Sequence, residues 1–164
     1  MSTTPDAPPD PLPEPPADYD AIAEEEVSAL PTALGMKLVE WRAGFAAMEC
    51  VVAPVIMNRQ GVVHGGALAT LIDTAAGYAP VFCPYPGRRR RAFTLSLNCQ
   101  FLAAGRRLGE RLRAEATMVG GGASVAFVNA DIRGEDGVQM VTAAGVFRLR
   151  GDSRSPWGAP RDGS

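Results

Sequence analysis

The stretch "NRQGVVHGGALATLIDTAAGYA", from Asn58 to Ala79, decides the fold. From Gly65 to about Tyr78 nearly every residue is Ala, Leu, Ile or Thr. That run is too long for one buried strand, and Pro80 stops it, so the spacing predicts a helix. The predicted helix is apolar on almost every side, which places it inside the protein rather than on its surface. Two features break the pattern. Beyond Arg59 the only formal charge is Asp73, and the helix opens on His64-Gly65-Gly66, with the only histidine of the chain.

Strand patterns flank this helix. "MKLVEWR" and "FAAMECVV" read as two strands joined by a tight turn at Ala43-Gly44, and "SALPTALG" before them reads as a short helical turn closed by Gly35. After the helix, "AFTLSLNCQF" alternates: Phe93, Leu95, Leu97, Cys99 and Phe101 point one way, and Thr94, Ser96, Asn98 and Gln100 the other. "GERLRAEATMV", "SVAFVNADIR" and "VQMVTAAGVFRLR" supply three further strands, with "GEDG" as the last hairpin turn. Short turns favour antiparallel pairing. One long enclosed helix among such strands predicts an α+β domain whose sheet curves around the helix.

The 164 residues are enough for one domain, and 46% of them are hydrophobic, which permits a substantial core. No apolar run approaches the roughly 20 residues of a membrane span. No basic segment followed by an apolar one opens the chain, so neither a secretory signal nor a membrane partner is expected. Cys50, Cys83 and Cys99 form no CxxC pair and suit reduced thiols in the cytoplasm. One histidine and scattered cysteines offer no ligand cluster for zinc, and no metal is expected.

Charge is unevenly spread. The first 36 residues hold eight of the 18 acidic residues and no base, so the remainder carries a balance of +6 behind an overall net charge of −2. A basic body suits an anionic ligand, and an acidic tail on an ordinary surface explains the split as well. Half of the 14 prolines fall within residues 5–16. Residues 1–27 therefore read as a disordered acidic arm, 28–150 as the folded domain, and 151–164 as a flexible tail.

Asp73 poses the chemical question. A carboxylate in a buried helix is costly unless it is paired or neutralised, and no base lies within a helical turn of it. Thr70 and Thr74 are local donors that would make it a satisfied structural group; left unpaired, it is a site candidate. At His64-Gly65-Gly66 the first helical turn leaves backbone N–H groups without partners, and the two glycines uncover them. The Gly65 amide would then receive a carbonyl oxygen in an oxyanion hole, unless the glycines only shape a turn that His64 caps. Asn58 precedes the turn and suits a water or a substrate.

Together these residues spell N-x-x-G-x-x-H-G-G-x-x-x-x-x-x-D, from Asn58 through Gly61, His64, Gly65 and Gly66 to Asp73. The pattern resembles the hotdog-fold acyl-CoA thioesterases of the PaaI-like group, and the similarity spans about residues 28–150. The resemblance implies a central helix wrapped by a curved antiparallel sheet, and two subunits that build shared sites in a homodimer or a dimer of dimers. It implies that Asp73 attacks the thioester carbonyl or activates a water. Gly65 would polarise the thioester oxygen, Asn58 and His64 would orient the reacting groups, and Thr94 on the following strand would help place the water. It implies hydrolysis of an acyl- or aryl-CoA without a cofactor. A non-catalytic acyl-CoA-binding regulatory protein is the alternative; it would have little reason to keep Asp73. A hotdog hydratase is a third reading, whose own His/Asp arrangement is missing.

Two loops depart from the family pattern. "PVFCPYPGRRRRA" carries Arg88 to Arg91, and guanidinium groups such as Arg90 and Arg91 suit CoA phosphates. A solvated loop is the plain alternative, and nucleic acid is disfavoured because no aromatics interleave the arginines. "VGGGASV" would let a pantetheine or nucleotide pass close to the backbone at Gly122, with Gly66 as a further CoA contact, or it is a flexible turn.

Overall fold

The computed structural model describes residues 14–105, 107–150 and 158–161. In chain order they form α1 (Ala29–Ala33), β1 (Lys37–Arg42), β2 (Phe45–Val51), α2 (Gly65–Tyr78), β3 (Arg88–Arg89), β4 (Ala92–Phe101), β5 (Arg111–Gly121), β6 (Val125–Gly134), β7 (Gln139–Leu149) and β8 (Ala159–Pro160). Short 3₁₀ turns follow β2 at Pro54–Ile56 and α2 at Ala79–Val81.

Six strands make one antiparallel sheet in the order β1-β2-β5-β6-β7-β4. The helix α2 packs against β2, β4, β5, β6 and β7, which is the sheet-around-helix arrangement the sequence implies. Small side chains allow the close approach: Ala46, Ala114, Ala116 and Ala126 on the sheet, and Ala75 on the helix, are fully buried. Larger groups plug the remaining space, among them Met48, Leu71, Ile72, Leu112, Ile132 and Phe147. Each such side chain contributes about 1.5–3 kcal/mol by leaving water. The outer face of the sheet is polar. There Arg113 bridges Glu40 at 2.9 Å, Glu49 at 3.1 Å and Glu115 at 2.7 Å.

The β1–β2 turn falls at Ala43-Gly44 as expected, with Gly44 at φ 74°, a left-handed conformation that glycine adopts without strain. The glycine-rich stretch is the β5–β6 hairpin. A side chain at Gly121 would collide with the Val125 carbonyl, so that glycine answers to strand closeness, while Gly122 faces open space.

Strand β4 departs from its sequence pattern. Thr94 pairs with Phe147 and Ser96 pairs with the adjacent Val146, so Leu95 is an extra, bulged residue. Phe147 faces the helix and is buried. Strict alternation would place Thr94 on the same face as Ser96, Asn98 and Gln100. The bulge instead turns Thr94 to the helix side, along with Leu97, Cys99 and Phe101. β4 is also an edge of the sheet, and Phe93, Leu95 and Phe101 are each more than half exposed.

The two ends of the described chain meet. Residues 14–27 form turns whose Tyr19, Ala21 and Ile22 pack on the core. Glu24 accepts a hydrogen bond from the Gly87 amide at 3.0 Å, and Glu25 pairs with Arg161 at 3.1 Å. β8 pairs with β3, so Ala159–Pro160 lie beside Arg88–Arg89. Composition alone assigned both segments to loose tails. Acidic side chains on one and Arg161 on the other supply the contacts that hold them. Residues 1–13, 151–157 and 162–164 lie outside the described residues.

Candidate active site

Along α2 two stripes differ in exposure. Ala67, Leu68, Leu71, Ile72, Ala75 and Ala76 are buried. Gly66, Ala69, Thr70, Asp73, Thr74 and Gly77 follow the same three-and-four spacing and are only partly covered or exposed. The helix is therefore less enclosed than its composition suggests, and Asp73 is half-buried rather than buried. Its cost is correspondingly lower.

Asp73 is not unpaired. Thr94 Oγ1 donates to Asp73 Oδ1 at 2.8 Å. The nearer threonines do not serve it: Thr70 donates to the Gly66 carbonyl at 2.9 Å and Thr74 to the Thr70 carbonyl at 2.7 Å. Both return their hydroxyl protons to the helix backbone one turn back, a common resolution for mid-helix threonine. The carboxylate is thus held from across the sheet, by the residue the bulge turns inward. It opens into a cleft of about 420 Å³ lined by Ser28, Leu30, Pro31, Ala69, Thr74 and Leu97, with Thr70 beside it. Cys99 lies near enough that its thiol is pushed up, first by burial and then by the Asp73 charge.

His64 is the N-cap of α2. Its Nδ1 accepts from the Gly66 amide at 2.8 Å, and its backbone sits at φ −67°, ψ 132°. The Gly66 amide is therefore spent on the cap. The Gly65 amide, one position earlier, has no hydrogen-bond partner among the described residues. A Cβ at Gly65 would touch only the Phe101 ring, at 3.8 Å. Asn58 organises its own loop: Oδ1 accepts from Gln60 N at 2.9 Å and Val62 N at 3.3 Å. The Gly61 amide donates to the Asn58 carbonyl at 3.0 Å, closing the same turn. The oxygen of the Asn58 side chain is occupied, and the amide nitrogen is what it can offer a ligand.

The residues predicted from sequence fall into two groups. Asp73 and Thr94 are together. Asn58, His64, Gly65 and Gly66 are together at the start of the helix. Asp73 lies eight positions after Gly65, which is about 12 Å along a helix axis. Neither Arg90, Arg91 nor Gly122 lines the Asp73 cleft. The arginine loop is tied to the chain's end, with Arg88 donating to Gly158 O and Arg89 to Arg161 O, both at 2.7 Å. Sequence reasoning missed Ser28, Leu30, Pro31 and Leu97 as cleft residues. Apart from the Ser28 hydroxyl they are apolar and belong to no motif, and only the α1–α2 contact brings the first three to Asp73.

A curved antiparallel sheet around one helix, with an acid on that helix and an open amide at its start, defines a hotdog-fold protein. The model of the thioesterase superfamily matches residues 60–141, half of the chain, and the chain belongs to that superfamily. It is 27% identical over 130 residues to the medium/long-chain acyl-CoA thioesterase YigI of Escherichia coli, covering 71% of this chain and 83% of that protein. Among solved structures it is similar to the E. coli PaaI protein of the phenylacetic acid degradation operon, at 27% identity and TM-score 0.66. That match covers 76% of this chain and 86% of PaaI. A hypothetical thioesterase with coenzyme A from Streptococcus pneumoniae is 25% identical with TM-score 0.62, covering 73% of this chain and 88% of that one.

Proposed function

We propose that the protein hydrolyses acyl-CoA thioesters at sites shared between two copies of the chain. Asp73 of one copy takes a proton from a water. The resulting hydroxide attacks the thioester carbonyl, the carbon–sulfur bond breaks, and CoA leaves as its thiol with a proton returned from the site. The Gly65 amide of the other copy holds the oxyanion. Thr94 fixes one carboxylate oxygen and leaves Oδ2 for the water. A thioester is already activated, so a positioned carboxylate and one strong donor replace a Ser-His-Asp triad.

The separation of the two groups carries this reading. Asp73 and the open Gly65 amide lie about 12 Å apart along one helix, too far to share a carbonyl within one chain. The β4 edge, with Phe93, Leu95 and Phe101 exposed and Phe101 running past Gly65, is the surface through which a second copy would bring the groups together. The relatives support the substrate class: one is a medium/long-chain acyl-CoA thioesterase, and another is a thioesterase solved with coenzyme A.

Mixing two dead variants tests the shared site. Asp73→Ala removes the carboxylate. Gly65→Pro removes the amide at little structural cost, because proline suits the first helical position and His64 already has the extended backbone a following proline requires. After subunit exchange, mixed dimers regain one working site, read as thiol released from an acyl-CoA. No recovery in dimers shown to have exchanged removes the shared-site geometry.

A further inference from the structure

We propose that Leu30, carried on α1, is a specificity-determining residue that packs on the first methylenes of an aliphatic acyl chain and favours longer chains over acetyl. The proposal rests on thioester hydrolysis at Asp73 and names what lies beyond the carbonyl there.

Leu30 is 61% exposed, yet it does not sit on a loose segment. Its neighbour Pro31 is buried, and the Met36 amide donates to the Pro31 carbonyl at 2.9 Å while Met36 itself enters the core. Thr32 Oγ1 donates to the carbonyls of Val27 and Ser28, at 3.1 and 3.0 Å, tying α1 to the segment before it. The fold therefore holds a large apolar side chain exposed at a fixed place, where it forgoes the gain of burial in the isolated chain. That place is the rim of the Asp73 cleft.

The cleft's chemistry fixes the occupant. Leu30 shares the cleft with Leu97, Pro31 and Ala69, which make its lining largely apolar. Thr70 and Thr74 have given their hydroxyl protons to the helix, which leaves Asp73 and the Ser28 hydroxyl as the polar donors and acceptors of the cleft. Among the described residues no Lys or Arg lines the cleft, so an acyl group ending in a carboxylate would find no counter-charge there beside an acid. Ala69, one turn before Asp73, leaves the volume that a larger residue would fill. A neutral hydrocarbon chain leaving the carbonyl packs on Leu30 and Leu97. Each methylene removed from water there is worth about a fourfold gain in kcat/KM.

The test measures kcat/KM over straight-chain acyl-CoAs from acetyl to palmitoyl, with wild type, Leu30→Ala and Leu30→Trp, and records the assembly size of each. Wild type prefers the longer chains. Leu30→Ala flattens the profile, losing about fourfold for each methylene that loses its contact, so the ratio of long-chain to acetyl-CoA kcat/KM falls. Leu30→Trp narrows the mouth and moves the preference toward shorter chains. Profiles that superimpose on wild type in both variants overturn the proposal and leave thioester hydrolysis intact. A change of assembly size in place of a change of profile makes Leu30 an interface residue, which also overturns it. Wild type inactive on every chain length removes both this proposal and the reading it rests on.

Discussion

The two stripes of α2 use the same helix for opposite ends. One, from Ala67 to Ala76, is buried against the sheet, and its residues are chosen for size. The other, from Gly66 to Gly77, stays partly open and carries the polar groups: the capped glycine amide, two threonines and Asp73. The buried stripe fixes where the helix lies, and the open stripe is what that position presents. Damage to one should therefore appear as lost stability, and damage to the other as lost turnover.

The largest expected effect breaks the open stripe. Asp73→Asn keeps the shape and removes the charge. Turnover of an acyl-CoA falls by about 10²- to 10⁴-fold, the range for a positioned general base, while thermal unfolding stays near wild type. Undiminished turnover would make Asp73 structural. Next, Leu71→Ala empties a fully buried position on the other stripe. Urea unfolding then shows a loss of about 2–5 kcal/mol, with turnover per folded molecule unchanged. Third, Thr94→Val removes the bond to Asp73. Because a hydrogen bond to a charged group is worth about 1.5–3 kcal/mol, kcat falls at least about tenfold with KM little altered, and Thr94→Ser restores it. Equal losses in valine and serine variants would point to packing instead.

The smallest effect lies away from the helix. The Gly87 amide, followed by Tyr19 and the Arg161 charge, holds the Glu24 carboxyl below the usual carboxylate range. A depressed carboxyl stabilises the folded state above its unfolded pKa, and that contribution disappears as pH falls through the folded value. Acidification should thus loosen the hold of Glu24 on the Gly87 loop before the body unfolds. Trp41 reports it, since its ring meets Tyr78 and Phe82 edge-on and the Tyr78 hydroxyl donates to Glu25, the neighbour of Glu24. Glu24→Gln should remove the acid-induced change in Trp41 fluorescence; a change that persists assigns it elsewhere.

Much of this was legible in the sequence. The helix begins at Gly65 and ends at Tyr78, where the apolar run and Pro80 place it. The β1–β2 hairpin turns at Ala43-Gly44, and the four long strands after the helix pair antiparallel. Legibility failed where the answer depends on contacts distant in sequence. Thr94 and Ser96 look equivalent in a two-residue period, because a bulge leaves that composition untouched and shows only in how the partner strand is matched. The depth of Asp73 depends on what packs over the open stripe of the helix, and its neighbours in sequence cannot report that. The segment before Ser28 read as an arm because acids and prolines rarely build a core; its partner, Arg161, stands more than a hundred residues later.

The bulge at Leu95 also sets a rule for anyone transplanting this acid–hydroxyl pair into a designed scaffold. Copying Thr-Leu-Ser onto an idealised strand would put the chain out of phase, aiming the threonine at solvent with every residue faithfully preserved. A graft must import the irregularity or leave out the leucine.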